Sequence, residues 1–308
     1  MTVCVGFTKI PCPDNRGIQN KQVLAGLGNY IMKLVSGTLS KMKVKLGRPV
    51  EYTLSISDQE LIMNSLIGHS VSLIFSGEIS CVHCARKIKK SFNQGYCYPC
   101  FTSLAQCDIC IVRPEQCHYD QGTCREPEWG LKHCMHDHIV YLANSSGVKV
   151  GITRRSQVPT RWIDQGAIQA LAVFRVNTRL QAGLVEVIFK SQVSDRTSWQ
   201  KMLKGNNPEI DLLAVRDEIF EQCNDSIGEV KKRFGDESVE MLNDSESINI
   251  DYPVVEYPTK VKSFNFDKTA NVSGKLMGIK GQYLIFDSGV LNIRKFAGYD
   301  VKIDKLAS

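Results

Sequence analysis

Apolar and polar positions alternate in part along three stretches near the start of the chain, "YIMKLVSGTL", "VEYTLSI" and "SVSLIFSGEI". Alternation with β-branched residues, punctuated by Gly or Pro, predicts strands with one face turned inward. Between the last two, "SDQELIMNSLIG" predicts a helix capped by Ser57 or Asp58. The hairpin sequences "HIVYLA" and "VKVGIT" flank "NSSG", four good turn formers. A helix is expected to start near Pro159, then the strand "LAVFRV", then a helix over "NTRLQAGLVEVIFKSQVSD" capped by Asn177 or Thr178. The period changes to 3.6 over residues 211–235, which predict one long or broken helix ending on Gly235. The polar, acidic "DESVEMLNDSESIN" reads as a linker. Strands return in "KVKSFNF", "VSGKLMGIK" and "QYLIFDSGVLNIR", with glycines as turns or bulges.

These elements predict a multidomain α+β chain. The expected parts are a β-rich N-terminal region (1–80), a cysteine-rich zinc-ribbon region (81–136) and a β-β-α-β-α domain (137–200). A helical segment with linker (201–249) and a small C-terminal β domain (250–308) complete it. The two β-rich ends are candidates to pack together. A length of 308 residues suits two or three domains, and 43% hydrophobic with 23% charged residues suits a globular protein. The net charge of +6 permits a nucleic-acid partner without requiring one. No secretory leader is read at the N-terminus, where Pro11 and Pro13 interrupt any apolar run. No stretch of about 18 apolar residues is present to cross a membrane. A cytoplasmic protein with no membrane partner is expected.

In a reducing compartment clustered cysteines point to metal rather than disulfides. Nine of the twelve cysteines fall between Cys81 and Cys134, in a segment too poor in apolar residues to fold unaided. Cys4, Cys12 and Cys223 read as ordinary thiols. Cys81-x2-Cys84 and Cys97-x2-Cys100, twelve residues apart, have the spacing of two zinc knuckles on one ion. A second zinc is expected on Cys107, Cys110, Cys117 and Cys124, with Cys134 or His138 as a replacement for one of the last two. Four protein ligands leave no open position, so both zinc ions would be structural and any chemistry must lie elsewhere. Between the first pairs, Arg86, Lys87, Lys89 and Lys90 interleave with Phe92, Tyr96, Tyr98 and Phe101. Such a mixture can hold phosphates and stack bases, or form a hairpin whose aromatics pack over the metal.

The β-β-α-β-α stretch resembles the GIY-YIG nuclease superfamily. The first family motif aligns with Ile139-Val140-Tyr141 and the second with Lys149-Val150-Gly151. The resemblance implies that Tyr141 positions the attacking water, Arg161 clamps phosphate, and Glu186 holds Mg²⁺ or Mn²⁺. Lys149 replaces the second motif's Tyr and would neutralise phosphate or depress the pKa of Tyr141. Arg154 and Arg155 would add phosphate contacts beside Arg86 and Lys87. Each residue also has a plainer role: Tyr141 as a half-buried strand residue, Arg161 paired with Asp164, Glu186 solvated. Taken whole, the chain resembles an uncharacterised bacterial domain-of-unknown-function family through phrases such as "KKSFNQGYCYPC", "TRWIDQGA" and "GIKGQYLIFDSGVLNIR". The expected function is nucleic-acid binding (DNA or RNA), with metal-dependent phosphodiester cleavage as its catalytic form. The alternatives are a non-catalytic nucleic-acid or ribosome-associated binder and a zinc-stabilised protein-interaction module.

Overall fold

The computed structural model describes residues 31–193 and 196–306. The readings made of residues 1–30, Cys4 and Cys12 among them, lie outside those residues. The first strands are β1 (Ile31–Thr38), β2 (Lys43–Lys45), β3 (Glu51–Ile56), β4 (Gln59–Ile62), β5 (Ser70–Ser80) and β6 (Lys87–Ile88). Short helices α1 (Tyr98–Ser103) and α2 (Pro127–His133) punctuate the cysteine-rich segment. Then come β7 (His138–Asn144), β8 (Val148–Arg154), α3 (Thr160–Asp164), β9 (Gln169–Val176) and α4 (Arg179–Phe189). α5 (Trp199–Leu203) and α6 (Leu212–Phe234) precede β10 (Val239–Met241), β11 (Ile248–Asn249), β12 (Asn271–Lys280), β13 (Tyr283–Phe286), β14 (Gly289–Asn292) and β15 (Tyr299–Leu306).

The two β-rich ends share one antiparallel sheet, in the order β1-β15-β5-β12-β13-β14, with β6 paired to β5. A second sheet runs β10-β9-β7-β8 with β11 also on β9, and β2-β3-β4 form a third. β7 is buried at every position because both faces of its sheet are covered. Val140 and Leu142 face α4 and α6, in a cluster with Ala182, Val185, Phe189, Ile219 and Cys223. Tyr141 and Ala143 face the other way, into a core shared with Leu276, Leu284 and Phe286 of the large sheet. Each large apolar side chain buried this way contributes about 1.5–3 kcal/mol.

The helices follow their local signals. Thr178 caps α4 through a box with Gln181, and Asp211 accepts from Leu213 and Ala214 at the start of α6. Three expectations fail. Residues 57–68 form β4 and a 3-10 turn instead of a helix, because Ser57 adopts φ 48° and folds β4 back onto β3. Pairing along β3 outweighs the helical spacing. The expected linker contains β10 and β11, edge strands too short to show a period, with Val239 buried on β9. The expected strand "KVKSFNF" makes only an isolated bridge, Ser263 to Val290, while Phe266 fills the core. No described helix is long and apolar enough to cross a membrane.

Candidate metal centre and its surroundings

Residues after β5 turn sharply through Ala85 at φ 57° and again through Asn93 and Gln94 at φ 42° and 64°. Those turns bring Cys81, Cys84, Cys97 and Cys100 together, with all four sulfurs within 4.8 Å of one another. Cys84 Sγ and Cys97 Sγ lie 3.8 Å apart. That matches the edge of about 3.8 Å for a tetrahedron with Zn–S bonds near 2.3 Å. The Cys97 amide donates to Cys81 Sγ at 3.2 Å. Burial pushes the Cys81 thiol up, yet donors on the backbone of Cys84, Cys97 and His83 outweigh it and bring the thiol to about 6. The donor set is that of a closed, structural site for a thiophilic divalent ion. His83 is exposed.

The aromatic residues of this knuckle pack on one another. Phe92 stacks on Phe101 at 5.9 Å and meets Tyr98 edge-on at 5.5 Å. The basic residues stay outside: Arg86 and Lys87 are exposed, Lys87 pairs with Glu78 at 2.7 Å, and Lys90 lies over Phe92 at 5.4 Å.

Cys107 departs from the expected ligand set. It joins the apolar cluster of Cys81, Cys97, Cys100 and Leu104, and its thiol interacts with Asn93. The 3-10 turn after Leu104 directs Cys107 back toward the first knuckle and Cys110 away from it. Cys110, Cys117, Cys124 and Cys134 instead line a common small cavity. His138 stands apart on β7, fully buried. Its Nδ1–H donates to the His136 carbonyl at 2.6 Å, Nε2 is buried without a partner, and burial holds the imidazole at about 4. His133 stacks on Trp129 at 4.1 Å.

Of the residues named for catalysis, Tyr141 and Arg161 meet, and Glu186 is close enough for its charge to act on Tyr141. Tyr141 is fully buried, and its hydroxyl donates to Gln165 Oε1 at 2.8 Å. Burial raises its pKa to about 12, against the opposing pull of Arg161. Gly151 lies directly across the hairpin, and a Cβ there would meet the Tyr141 hydroxyl at 2.7 Å, so the residue must be glycine for this ring to fit. Glu186 is buried rather than solvated and pairs with Lys190 at 3.5 Å. Among the described residues it joins no cluster of three or more metal-ligating side chains. Asp164 pairs with Lys41 at 2.8 Å instead of Arg161. Lys149 is buried and donates to Thr197 Oγ1 at 2.7 Å.

Tyr141→Phe is expected to cost about 1 kcal/mol, since it removes one hydrogen bond and leaves half-buried Gln165 access to water. A denaturant midpoint checks this. A loss above about 3 kcal/mol would show that the hydroxyl holds more of the structure than Gln165.

Sequence reasoning missed two arrangements. Arg294 is lowered by burial first and next by the charge of Arg161, and neither guanidinium has an ion pair among the described residues. "TRWIDQGA" and "GIKGQY" meet in space, where Gln282 Nε2 donates to Asp164 Oδ1 at 2.9 Å and to the Met42 carbonyl at 3.0 Å. The shared phrases themselves were the available signal. Arg154 and Arg155 line an open groove of about 890 Å³ with Lys132, His136, Ser156 and Asn177. Its acid is Asp137, which pairs with Arg155 at 3.6 Å and Arg175 at 4.0 Å. Arg86 and Lys87 are not part of that lining.

The fold and the cluster define a mixed α/β protein, built on antiparallel sheets, with four close cysteines able to hold a metal ion. The chain belongs to the family described as "Protein of unknown function (DUF2797)", whose model matches residues 68–301. Searches of curated proteins and of solved structures find no match. These comparisons add no support for the nuclease resemblance of residues 137–200.

Proposed function

We propose that this chain is a zinc-stapled nucleic-acid-binding protein that holds the phosphate backbone in the groove between α2 and the end of β8. The observation that carries this reading is the groove's lining. Lys132, Arg154 and Arg155 converge on it with His136, against the single carboxylate of Asp137. Lys132 and Arg154 have no ion pair among the described residues, so their charge faces solvent and any incoming anion. An open, cationic concavity of this size suits a polyanion strand, and the net charge of +6 favours its approach. Zinc at Cys81, Cys84, Cys97 and Cys100 has a structural role in this reading.

Fluorescence anisotropy with labelled single- and double-stranded DNA and RNA, repeated across a salt series, tests it. Lys132→Glu with Arg154→Glu is expected to weaken binding at least ~10-fold on every sequence and to reduce the salt slope by about 2. An unchanged slope, or no binding at physiological salt, would move the reading to a protein-interaction module.

Cleavage is a second reading, favoured by the meeting of Arg161 with Tyr141 and the nearby Glu186. It has an obstacle in Tyr141, whose buried ring does not face solvent and whose raised pKa disfavours a phenolate at neutral pH. The same substrates incubated with Mg²⁺ or Mn²⁺ decide it. Cutting that Glu186→Ala abolishes would favour the enzyme, and intact substrate favours the binder.

A further inference from the structure

Residues 105–135 hold little regular structure: four 3-10 turns and the short α2. Such a segment buries too little apolar surface to stay folded without a cross-link. At its centre is a cavity of about 10 Å³, room for roughly one water-sized sphere, lined by Cys110, Cys117, Cys124 and Cys134. The Cys117 thiol lies near enough to those of Cys110 and Cys134 to act on both, and Cys124 lies near enough to act on Cys134. Gly130 makes room for the fourth sulfur, since a Cβ there would stand 3.1 Å from Cys124 Sγ and 2.8 Å from the Tyr119 ring.

A competing donor set is Asp108, Cys110 and His118, whose ligand atoms lie within 4.8 Å of one another. In that set Asp108 accepts from Arg125 Nε at 2.7 Å, while His118 Nδ1 shares a hydrogen bond of 2.7 Å with Thr123 Oγ1 and its Nε2 lies 3.6 Å from Asp108 Oδ2. The Asp108→Asn variant separates this set from the four cysteines.

Arg179 is the independent observation. Its guanidinium reaches across from α4 and donates to the carbonyls of Cys110 at 3.3 Å and Ile111 at 2.6 Å. Its amide donates to the Cys134 carbonyl at 2.8 Å. Its charge lies near the thiols of Cys134, Cys110 and Cys117. Four thiolates around a divalent ion carry two net negative charges, and a cation held at the Cys110 carbonyl offsets part of them.

We infer that Cys110, Cys117, Cys124 and Cys134 form a second tetrathiolate site for zinc, with Cys107 excluded, and that Arg179 ties this site to α4. Binding converts the thiols to thiolates and releases their protons to solvent; nothing is oxidised. Cys134 follows α2 directly, so the site also fixes Lys132 and His136, one wall of the groove.

Metal content of the reduced full chain tests the site without reference to nucleic acid. The wild type is expected to hold two zinc ions, Cys107→Ser two, Asp108→Asn two and Cys134→Ser one. A Co²⁺ titration of the wild type, read by its tetrahedral d–d absorption, is expected to saturate at two equivalents and depends on no variant folding. A wild type that stops at one metal, a Cys107→Ser or Asp108→Asn protein that loses one, or a Cys134→Ser protein that keeps both would each overturn the inference.

Discussion

Cys97→Ser is expected to unfold the knuckle of residues 81–104 and to lower stability by on the order of 5 kcal/mol. Structural zinc contributes about 10–16 kcal/mol to the folding of isolated finger peptides. Here the expected loss is smaller, because the knuckle is also tied to the large sheet. Ile79 and Ser80 pair with Ile88 and Lys87, and the Ser80 amide donates to the Gly298 carbonyl at 2.7 Å. Inside the knuckle the polar ties are few, among them Val82 to Gly95 at 2.9 Å and Cys81 to Arg86 at 2.8 Å. The apolar cluster beneath consists largely of the cysteines themselves. Without the ion, four sulfurs lose their common partner and that cluster opens. Hydrogen exchange distinguishes the regions: protection is expected to vanish over 81–104 and to persist in β12–β15. Exchange that stays as slow in the knuckle as in the wild type would mean that metal does not hold it.

Lys280→Met is expected to raise stability at pH 7 by about 1–3 kcal/mol. Lys280 ends β12 with its side chain fully buried and its Nζ without a hydrogen-bond partner. Burial lowers the ammonium from 10.5 to about 8. A gap of that size is worth about 3 kcal/mol, against which the rings of Tyr252 and Tyr257, each 5.3 Å from Nζ, return roughly 1 kcal/mol apiece. In the unfolded chain the amine keeps its proton to about pH 10.5, whereas in the folded chain it gives it up near 8. Between those values the unfolded state binds more protons, so stability climbs with pH. The gain is complete above the unfolded value and is lost as pH falls through the folded one. Met fills a similar volume without the charge and removes that slope. Urea unfolding from pH 7 to 10.5 checks both expectations. A variant that is less stable at pH 7, or that keeps the slope, would show that Lys280 has a stabilising partner.

Much of the local structure could be read from residues a few positions apart. Cys-x2-Cys at both ends of the first knuckle is legible because two-residue loops turn both thiols the same way. α6 is legible because Asp211, a 3.6 period and Gly235 mark its start, body and end. Thr178 and Gln181 announce α4 in the same way. Ser57 shows the limit: the spacing after it favours a helix, and pairing with β3 overrides it. β10 and β11 escaped notice because a two- or three-residue strand has no period to detect.

The sequence by itself determined the elements with strong local signals and the first four-cysteine set, since each depends on neighbours along the chain. Tertiary structure alone decided that β1 and β5 share a sheet with β12 and β15, which rests on strand order rather than alternation. It also decided that Cys134 faces the second cysteine cavity while Cys107 turns to the first knuckle. The same is true of Lys132 and Arg154, which meet across one groove although 21 residues separate them. Packing between distant segments set those neighbours, and hydrophobic periodicity says which face is buried without saying against what.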